Sequence, residues 1–154
     1  MKTRYRKLGK VRISELLLFF EACLMLIVAT LVKNMLPFRW YAWFLGNKGP
    51  GLGLREQGEV GIERILPLIN ALRRGSRYLP LECKCLVNAI AGKAMLKRRC
   101  IPSAVYLGVA KNGEGNLDAH AWLKAGKHLV TGAAGMERFK SLAAFSDRVQ
   151  PHHY

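Results

Sequence analysis

Acidic side chains are scarce in this chain of 154 residues, where 10 Asp and Glu stand against 25 Lys and Arg and leave a formal net charge of +15 at pH 7. This excess predicts attraction to acidic partners, but it does not choose among nucleic acid, anionic lipid and acidic peptide. The 4 cysteines are too few for a disulfide scaffold and favour a reducing, cytoplasmic location. The sequence also lacks an internal repeat and a fixed glycine period, which excludes solenoid and collagen-like folds.

The N-terminal part joins a basic segment to an apolar one. Six of the first twelve residues are Lys or Arg, and we expect residues 1–13 to form a basic flexible tail. The apolar run from Leu16 to Val32 is interrupted by Glu21, and an acidic residue at mid-membrane costs about 2.5–3.5 kcal/mol. The uncharged remainder is shorter than the ~20 residues that span a bilayer. We therefore predict a buried or partner-facing helix from about Ser14 to Asn34, and membrane association is not favoured.

The rest of the chain predicts helices first and strands afterwards. A short aromatic helix or turn at 38–44 and a Gly- and Pro-rich linker at 47–53 come first, and apolar residues then recur at helical spacing over 60–78 and 85–98. Strand patterns separated by turns follow at 104–110, 117–125 and 128–131.

These elements predict an α+β fold in which a helix packs on an antiparallel meander, with an added N-terminal helical part. The predicted division is the tail (1–13), an N-terminal helical subdomain (14–46), a core (54–146) and a C-terminal tail (147–154).

One cysteine and one histidine form the constellation with the clearest chemistry. Cys85 falls at a predicted helix start, where unpaired backbone N–H groups and the positive end of the helix dipole favour a thiolate. His120 lies on a predicted strand and could accept the thiol proton and later return it to a leaving amine. The signal is weak by itself, because a cysteine near a helix start usually packs and a strand histidine usually satisfies a local hydrogen bond.

Two other kinds of site are compatible with the residue types but not with their spacing. A zinc site could draw on Cys83, Cys85, Cys100, His120 and His128, yet structural zinc sites prefer two separated pairs of ligands. A basic module that binds membrane or nucleic acid without catalysis is the other alternative, although no groove-reading helix or stacking sheet is evident. We predict no metal, no cofactor and no nucleic-acid partner.

Several segments, taken together and in order, carry a family resemblance. They are Tyr78-Leu79-Pro80, Cys85-Leu86-Val87-Asn88-Ala89, Cys100-Ile101-Pro102, Tyr106-Leu107-Gly108-Val109, Ala119-His120-Ala121-Trp122-Leu123 and Val130-Thr131-Gly132. The stretch from Tyr78 to Phe145 resembles the transglutaminase-like leader peptidases of lasso-peptide biosynthesis, and more narrowly the standalone peptidase half of the maturation B protein.

The resemblance implies a papain/transglutaminase-like cysteine peptidase that removes the leader from a ribosomally made precursor in the cytoplasm. Cys85 matches the nucleophile of that family and His120 matches its base, whereas Cys83 is interpreted as a bystander. Acyl transfer to an amine uses the same Cys–His chemistry, and the resemblance favours water as the final acceptor. The implied partners are the precursor, a separate small leader-binding protein and an ATP-dependent macrolactam-forming synthetase, and we expect the helices of 16–44 to dock such a partner.

The residue that orients His120 is left open by the sequence. Many members of the resembling family place an Asp on the next strand, but the corresponding window, residues 128–134, contains no acid. Thr131, Asp118 and a backbone carbonyl are the candidates, with Thr131 preferred to Asp118.

Overall fold

The computed structural model describes the backbone of residues 2–49, 59–80 and 84–147, and the side chains among them from residue 13 onward. The described helices are α1 (Lys2–Met35), α2 (Phe38–Leu45), α3 (Ile62–Tyr78) and α4 (Lys84–Arg98). The described strands are β1 (Asn47–Gly49), β2 (Ala104–Lys111), β3 (Leu117–Ala125), β4 (His128–Thr131) and β5 (Lys140–Ser146), with a short 3-10 helix at Met136–Arg138 before β5. The predicted α+β class is confirmed.

The strands form one antiparallel sheet in the order β1-β5-β2-β3-β4. The predicted meander of β2, β3 and β4 is confirmed, whereas β1 and β5 were not predicted. The linker prediction is wrong for Asn47–Gly49, because these residues pair with Ser146, Phe145 and Ala144 through the backbone. Residues 50–58, where that linker ends and the predicted core begins, lie outside the described residues, as does the tail from residue 148 onward.

The two faces of the sheet carry different clusters, because successive side chains of a strand point to opposite faces. Ala121, Leu123 and Ala125 of β3 belong to the main hydrophobic cluster, which they share with the four helices. Trp122 lies on the other face, in a smaller cluster with Tyr106 of β2. The side chain of His120, two residues before Trp122, stacks against that tryptophan and so belongs to this second face.

Helix α4 lies close against the sheet because small residues face it. A Cβ atom added to Gly92 would come within 2.7 Å of Leu123 Cδ2. The next residue, the fully buried Lys93, places its Nζ 2.7 Å from an Asp147 carboxylate oxygen and 2.6 Å from the Ser103 carbonyl oxygen. Burial lowers the pKa of Lys93, and the hydrogen bond and charge of Asp147 oppose that effect. These contacts fix the C-terminal half of α4 at the end of the sheet where β2 begins.

Helix α1 has one packed side and one exposed side. It starts at Lys2, so the prediction of a start near Ser14 is wrong, since Lys, Arg and Leu favour helix and extend it toward the N-terminus. Glu21 accepts two hydrogen bonds from the Arg99 guanidinium, at 2.9 and 2.6 Å, and these bonds lower the pKa of its carboxyl group. On the side of α1 that faces away from the protein core, Phe20 is 60% exposed and Leu24 is 57% exposed.

The segment Ile13–Met35 of α1 is long and apolar enough to cross a membrane, judged by length and composition. The core helix of a soluble protein meets the same criteria, so this pattern alone does not place α1 in a bilayer. Part of α1 belongs to the protein core, because Ala22, Leu26 and Ala29 are buried in the main hydrophobic cluster.

Candidate active site

Cys85 is the second residue of α4 and lies in its first turn. The backbone N–H groups of a first turn have no partner within the helix, and they point toward whatever lies beyond the helix start. The Cys85 thiol is free and half-buried, and it packs against the main hydrophobic cluster. The position combines partial exposure with the positive end of the helix dipole, two features that reactive cysteines share. Cys83, interpreted above as a bystander, lies outside the described residues.

The ring of His120 is held by one hydrogen bond and two ring contacts. Its Nε2 lies 2.9 Å from the carbonyl oxygen of Gly132, and a carbonyl oxygen can only accept, so Nε2 carries the proton. In the neutral ring Nδ1 is then the unprotonated, basic nitrogen. Phe139 stacks on the ring with 4.9 Å between centroids, and Trp122 lies at 6.0 Å.

The group that orients His120 is therefore a backbone carbonyl, one of the three candidates that the sequence left open. Thr131, which the sequence favoured over Asp118, pairs with Leu123, because an irregularity between Leu123 and Lys124 shifts the register of β3 and β4. Asp118 accepts a hydrogen bond from Asn112 Nδ2 at 3.4 Å, within the turn between β2 and β3. Neither side chain bonds to His120.

Gly132 supplies its carbonyl from a backbone conformation that favours glycine. Its φ is 81°, in the left-handed region that other residues enter at a cost. A Cβ atom at this position would also come within 2.5 Å of the Ala121 carbonyl oxygen and 2.7 Å of Trp122 Cβ. The glycine thus allows the strand end to approach β3 closely enough for the bond to His120.

Cys85 and His120 lie toward the same end of the sheet. The short connection 99–103 joins the C-terminus of α4 to the start of β2. The N-terminus of α4 therefore points away from the start of β2, toward the half of the β2–β3 ladder in which Gly108 pairs with His120. Gly92 lies against Leu123, and Cys85 is seven residues before it, roughly 10 Å along the helix. His120 is three residues before Leu123, also roughly 10 Å along the strand.

The two side chains approach this end from different sides, since His120 is on the Trp122 face and Cys85 packs with the helix-side cluster. In the part of the chain that the structure describes, no hydrogen bond joins Cys85 Sγ to His120. Catalytic hydrogen bonds are often long in proteins without substrate and shorten in the substrate complex.

A cavity of about 330 Å³ opens between α3, α4 and the end of β4, and neither Cys85 nor His120 is among the residues that line it. Its wall includes Lys84 and Asn88, on either side of Cys85 in α4, and Gly132, the hydrogen-bond partner of His120. The remaining lining residues come from α3 and from the stretch 129–133, and they are Ile69, Leu72, Arg73, Ser76, Arg77, Leu129, Val130, Thr131 and Ala133.

The comparison with known families matches residues 29–144 to the family described as Transglutaminase-like superfamily, about three quarters of the chain. The chain belongs to the transglutaminase-like superfamily. This superfamily includes cysteine peptidases, and membership indicates a cysteine-dependent enzyme. The comparisons with curated proteins and with solved structures gave no match.

A metal centre is not assembled in the described part of the molecule, where no three His, Cys, Asp or Glu side chains lie close enough to hold an ion.

Two features of this transglutaminase-like site were not predicted from the sequence, namely the Gly132 carbonyl and the Phe139 ring. The glycine directly after β4 was the available signal for the first, because glycines at strand ends often mark close backbone approach. Nothing in the sequence near Phe139 pointed to the second.

Proposed function

We propose that this transglutaminase-like protein is a cysteine peptidase that removes the leader from a ribosomally synthesised lasso-peptide precursor, with Cys85 as nucleophile and His120 as base. The observation that carries the proposal is the bond between His120 Nε2 and the Gly132 carbonyl, which leaves Nδ1 as the basic nitrogen. A free thiol in the first turn of α4 and the family resemblance from Tyr78 to Phe145 support it further.

The reaction would proceed through a thioester. Nδ1 of His120 takes the proton of the Cys85 thiol, and the thiolate attacks the carbonyl carbon of the scissile peptide bond. Backbone N–H groups of the first turn of α4 donate to the oxyanion that forms. His120 then gives its proton to the leaving amine, and a thioester joins the leader to Cys85. A water molecule, deprotonated by His120, hydrolyses this thioester and restores the thiol.

This route requires the imidazole and the thiol to come together when the peptide binds, since the two groups are not hydrogen-bonded without it. The peptide backbone would lie along the end of the sheet, between the first turn of α4 and the loop after β4. Both flanking elements contribute to the wall of the cavity described above.

The decisive test is cleavage of the precursor by the full-length protein, with mass spectrometry of the products. Cys85→Ala should abolish cleavage, whereas Cys100→Ala, at an exposed thiol in the turn after α4, should leave it unchanged. Cys83→Ala should also remain active. A Cys85→Ala protein that still cleaves, or a Cys83→Ala protein that does not, would overturn the assignment of the nucleophile.

Transfer of the acyl group to an amine is the second candidate, because membership of the superfamily fits it equally well. The same experiment separates the two reactions when a primary amine is present in excess. Hydrolysis gives a leader with a free carboxyl terminus, whereas acyl transfer gives a leader whose mass includes the amine. A product of the second kind as the main species would replace the peptidase proposal.

We also propose that the exposed side of α1 docks a partner in the cytoplasm, namely the separate small leader-binding protein, and that this complex delivers the precursor to the ATP-dependent macrolactam-forming synthetase. The support is structural: the inner side of α1 is committed to the core, while large apolar side chains on its outer side are exposed. Isolated exposed apolar residues are ordinary, but a row of them along one helix indicates a contact surface.

Point variants test this docking better than deletion, because α1 also packs in the core. Phe20→Ser and Leu24→Ser should each weaken binding of the leader-binding protein at least roughly tenfold, as central apolar contacts do. Leu142→Ser, at a 65% exposed position on β5, is the control and should bind normally. Unchanged binding in both α1 variants, or sedimentation of the full-length protein with anionic vesicles in the absence of partner, would overturn the proposal.

A further inference from the structure

The cavity beside Cys85 has a strongly basic wall. Arg73 and Arg77 of α3 and Lys84 of α4 line it, and its lining contains no Asp or Glu among the described residues. None of these three cations forms an ion pair with another described residue; the ion pairs that the structure shows use Lys93, Arg98, Arg99 and Lys127. The first turn of α4 adds the positive end of its helix dipole to the same region. The cavity therefore favours a negatively charged group.

Two residues of the cavity wall, Asn88 and Thr131, each carry a buried oxygen atom without a hydrogen-bond partner among the described residues. The amide of Asn88 donates through Nδ2 to Ser76 Oγ at 3.1 Å, which leaves its Oδ1 as an acceptor. Asn88 Oδ1 and Thr131 Oγ1 are both buried and without a hydrogen-bond partner. Buried polar atoms are nearly always paired in folded proteins, so these two oxygens are exceptions within the wall. Both atoms lie beneath the surface of the wall, and the property of the cavity that selects a ligand is therefore its positive charge.

The volume and position of the cavity further restrict the kinds of ligand that it can bind. Its volume of about 330 Å³ lies at the low end of the ~300–1,000 Å³ typical of ligand pockets, which suits one side chain with its adjoining backbone. Cys85 and His120 do not line the cavity, but its wall includes Lys84, which directly precedes Cys85, and Gly132, whose carbonyl binds His120. An acidic residue of a peptide supplies the negatively charged group.

We propose that this cavity binds the side chain of an acidic residue of the peptide substrate, close to the bond that is cleaved. The proposal rests on the proposed peptidase function and assigns a specificity to it. Arg73, Arg77 and Lys84, the three cations of the cavity wall, bind the carboxylate.

The first test compares peptides that carry Glu or Gln at each position around the scissile bond, with both ends blocked so that no terminal carboxylate is present. At one position we expect Glu to raise kcat/KM about two- to fivefold over Gln, the range of an ion pair with solvent-exposed side chains, because Arg73, Arg77 and Lys84 are exposed. Arg77→Gln should reduce this preference, and Arg77→Glu should reduce it further, because the wall charge falls while Arg73 and Lys84 remain. Arg64→Gln is the matched control, since Arg64 is exposed on α3 and does not line the cavity.

Equal cleavage of Glu and Gln peptides at every position would overturn the inference and leave the peptidase proposal intact. The same conclusion would follow if Arg64→Gln reduced the Glu preference as much as Arg77→Gln does. The inference would also be overturned if a Gln peptide with a free carboxyl terminus were cleaved as fast as the blocked Glu peptide. The site would then recognise the end of a chain and not an acidic side chain.

The second test does not depend on peptidase activity. The rates at which iodoacetate and iodoacetamide alkylate Cys85 are compared by mass spectrometry, and trypsin cleavage after Lys84 separates Cys85 from Cys83. An anion site beside the thiol should raise the iodoacetate-to-iodoacetamide ratio at Cys85 severalfold over that at the exposed Cys100, and Arg77→Gln should lower it. Equal ratios in the native protein and in Arg77→Gln would overturn the anion site. A raised ratio without cleavage of any peptide would instead overturn the peptidase proposal alone.

Discussion

Replacement of Gly132 by alanine tests how His120 is oriented. The φ of 81° costs a non-glycine residue about 1–2 kcal/mol, and the added Cβ would come within 2.5 Å of the Ala121 carbonyl oxygen. Cβ atoms do not approach a backbone oxygen so closely, so the strand end has to move away from β3. This shift should add about 1–3 kcal/mol of destabilisation, as overpacking does elsewhere.

The same shift should weaken the 2.9 Å bond between Gly132 and His120 Nε2. A carboxylate that orients a catalytic histidine is worth up to ~10⁴ in rate, and a neutral carbonyl supplies less, so we expect single-turnover cleavage to fall roughly 10- to 100-fold. NMR of the imidazole should show that the preference for the Nε2–H tautomer is reduced. The tautomer measurement reports on orientation even if the reaction differs from the one proposed.

Gly115→Ala is the matched control. Gly115 has a nearly identical φ of 83°, but a Cβ added there meets no atom within 4 Å. This variant should therefore show the backbone cost alone, about 1–2 kcal/mol in denaturant unfolding, with normal cleavage and a normal tautomer. The reasoning is refuted if Gly132→Ala keeps both the tautomer and the rate, or if Gly115→Ala loses them to the same extent.

Three further predictions concern catalysis, a turn and acid stability. His120→Ala should be as inactive as Cys85→Ala, and the double variant no worse than either, because groups that act as a unit do not add; a further additive loss in single-turnover rate would argue against the pair. Cys100→Gly should raise the free energy of unfolding by about 0.5–1 kcal/mol, because Cys100 has a φ of 53° that glycine adopts without strain; a loss of stability in denaturant unfolding would contradict this. The hydrogen bond from Arg99 lowers the pKa of Glu21 in the folded state, so its stabilisation is present above the ordinary carboxyl pKa and is lost as the pH falls through the folded-state value. Glu21→Gln should therefore flatten the decline of stability in acid, and an unchanged slope of unfolding free energy against pH would contradict the role of this pair.

The sequence predicted those elements whose apolar residues follow a regular period. The patterns of 60–78, 85–98 and 117–125 correspond closely to α3, α4 and β3. One face of α3 is buried, whereas α4 is buried almost all round and was indicated by its length and its run of apolar and small residues. The sequence did not predict the strands β1 and β5, for opposite reasons. β1 pairs through its backbone and reads as a linker, and the first three residues of β5 are exposed, which hides its alternation.

The candidate site was predictable in its residue types but not in its register. The positions of Cys85 at a helix start and His120 on a strand follow from local pattern, and their catalytic roles stay a prediction. The register of β3 and β4 shifts at Leu123, which pairs with Thr131, and the acceptor for His120 is the carbonyl of Gly132, the residue after β4. Single-residue shifts of this kind arise from packing between strands, and neither strand encodes them alone.

The two-sided packing of α1 links association to folding. Ala22, Leu26 and Ala29 help to close the core, so the native chain cannot form without the helix that offers Phe20 and Leu24 to a partner. Any partner that binds this outer side binds only the folded chain, and at a hundred times its dissociation constant it would add about 2.7 kcal/mol to the free energy of unfolding. The lifetime of the chain in the cell would then follow the abundance of its partner, and an orphaned copy would be the first to be degraded.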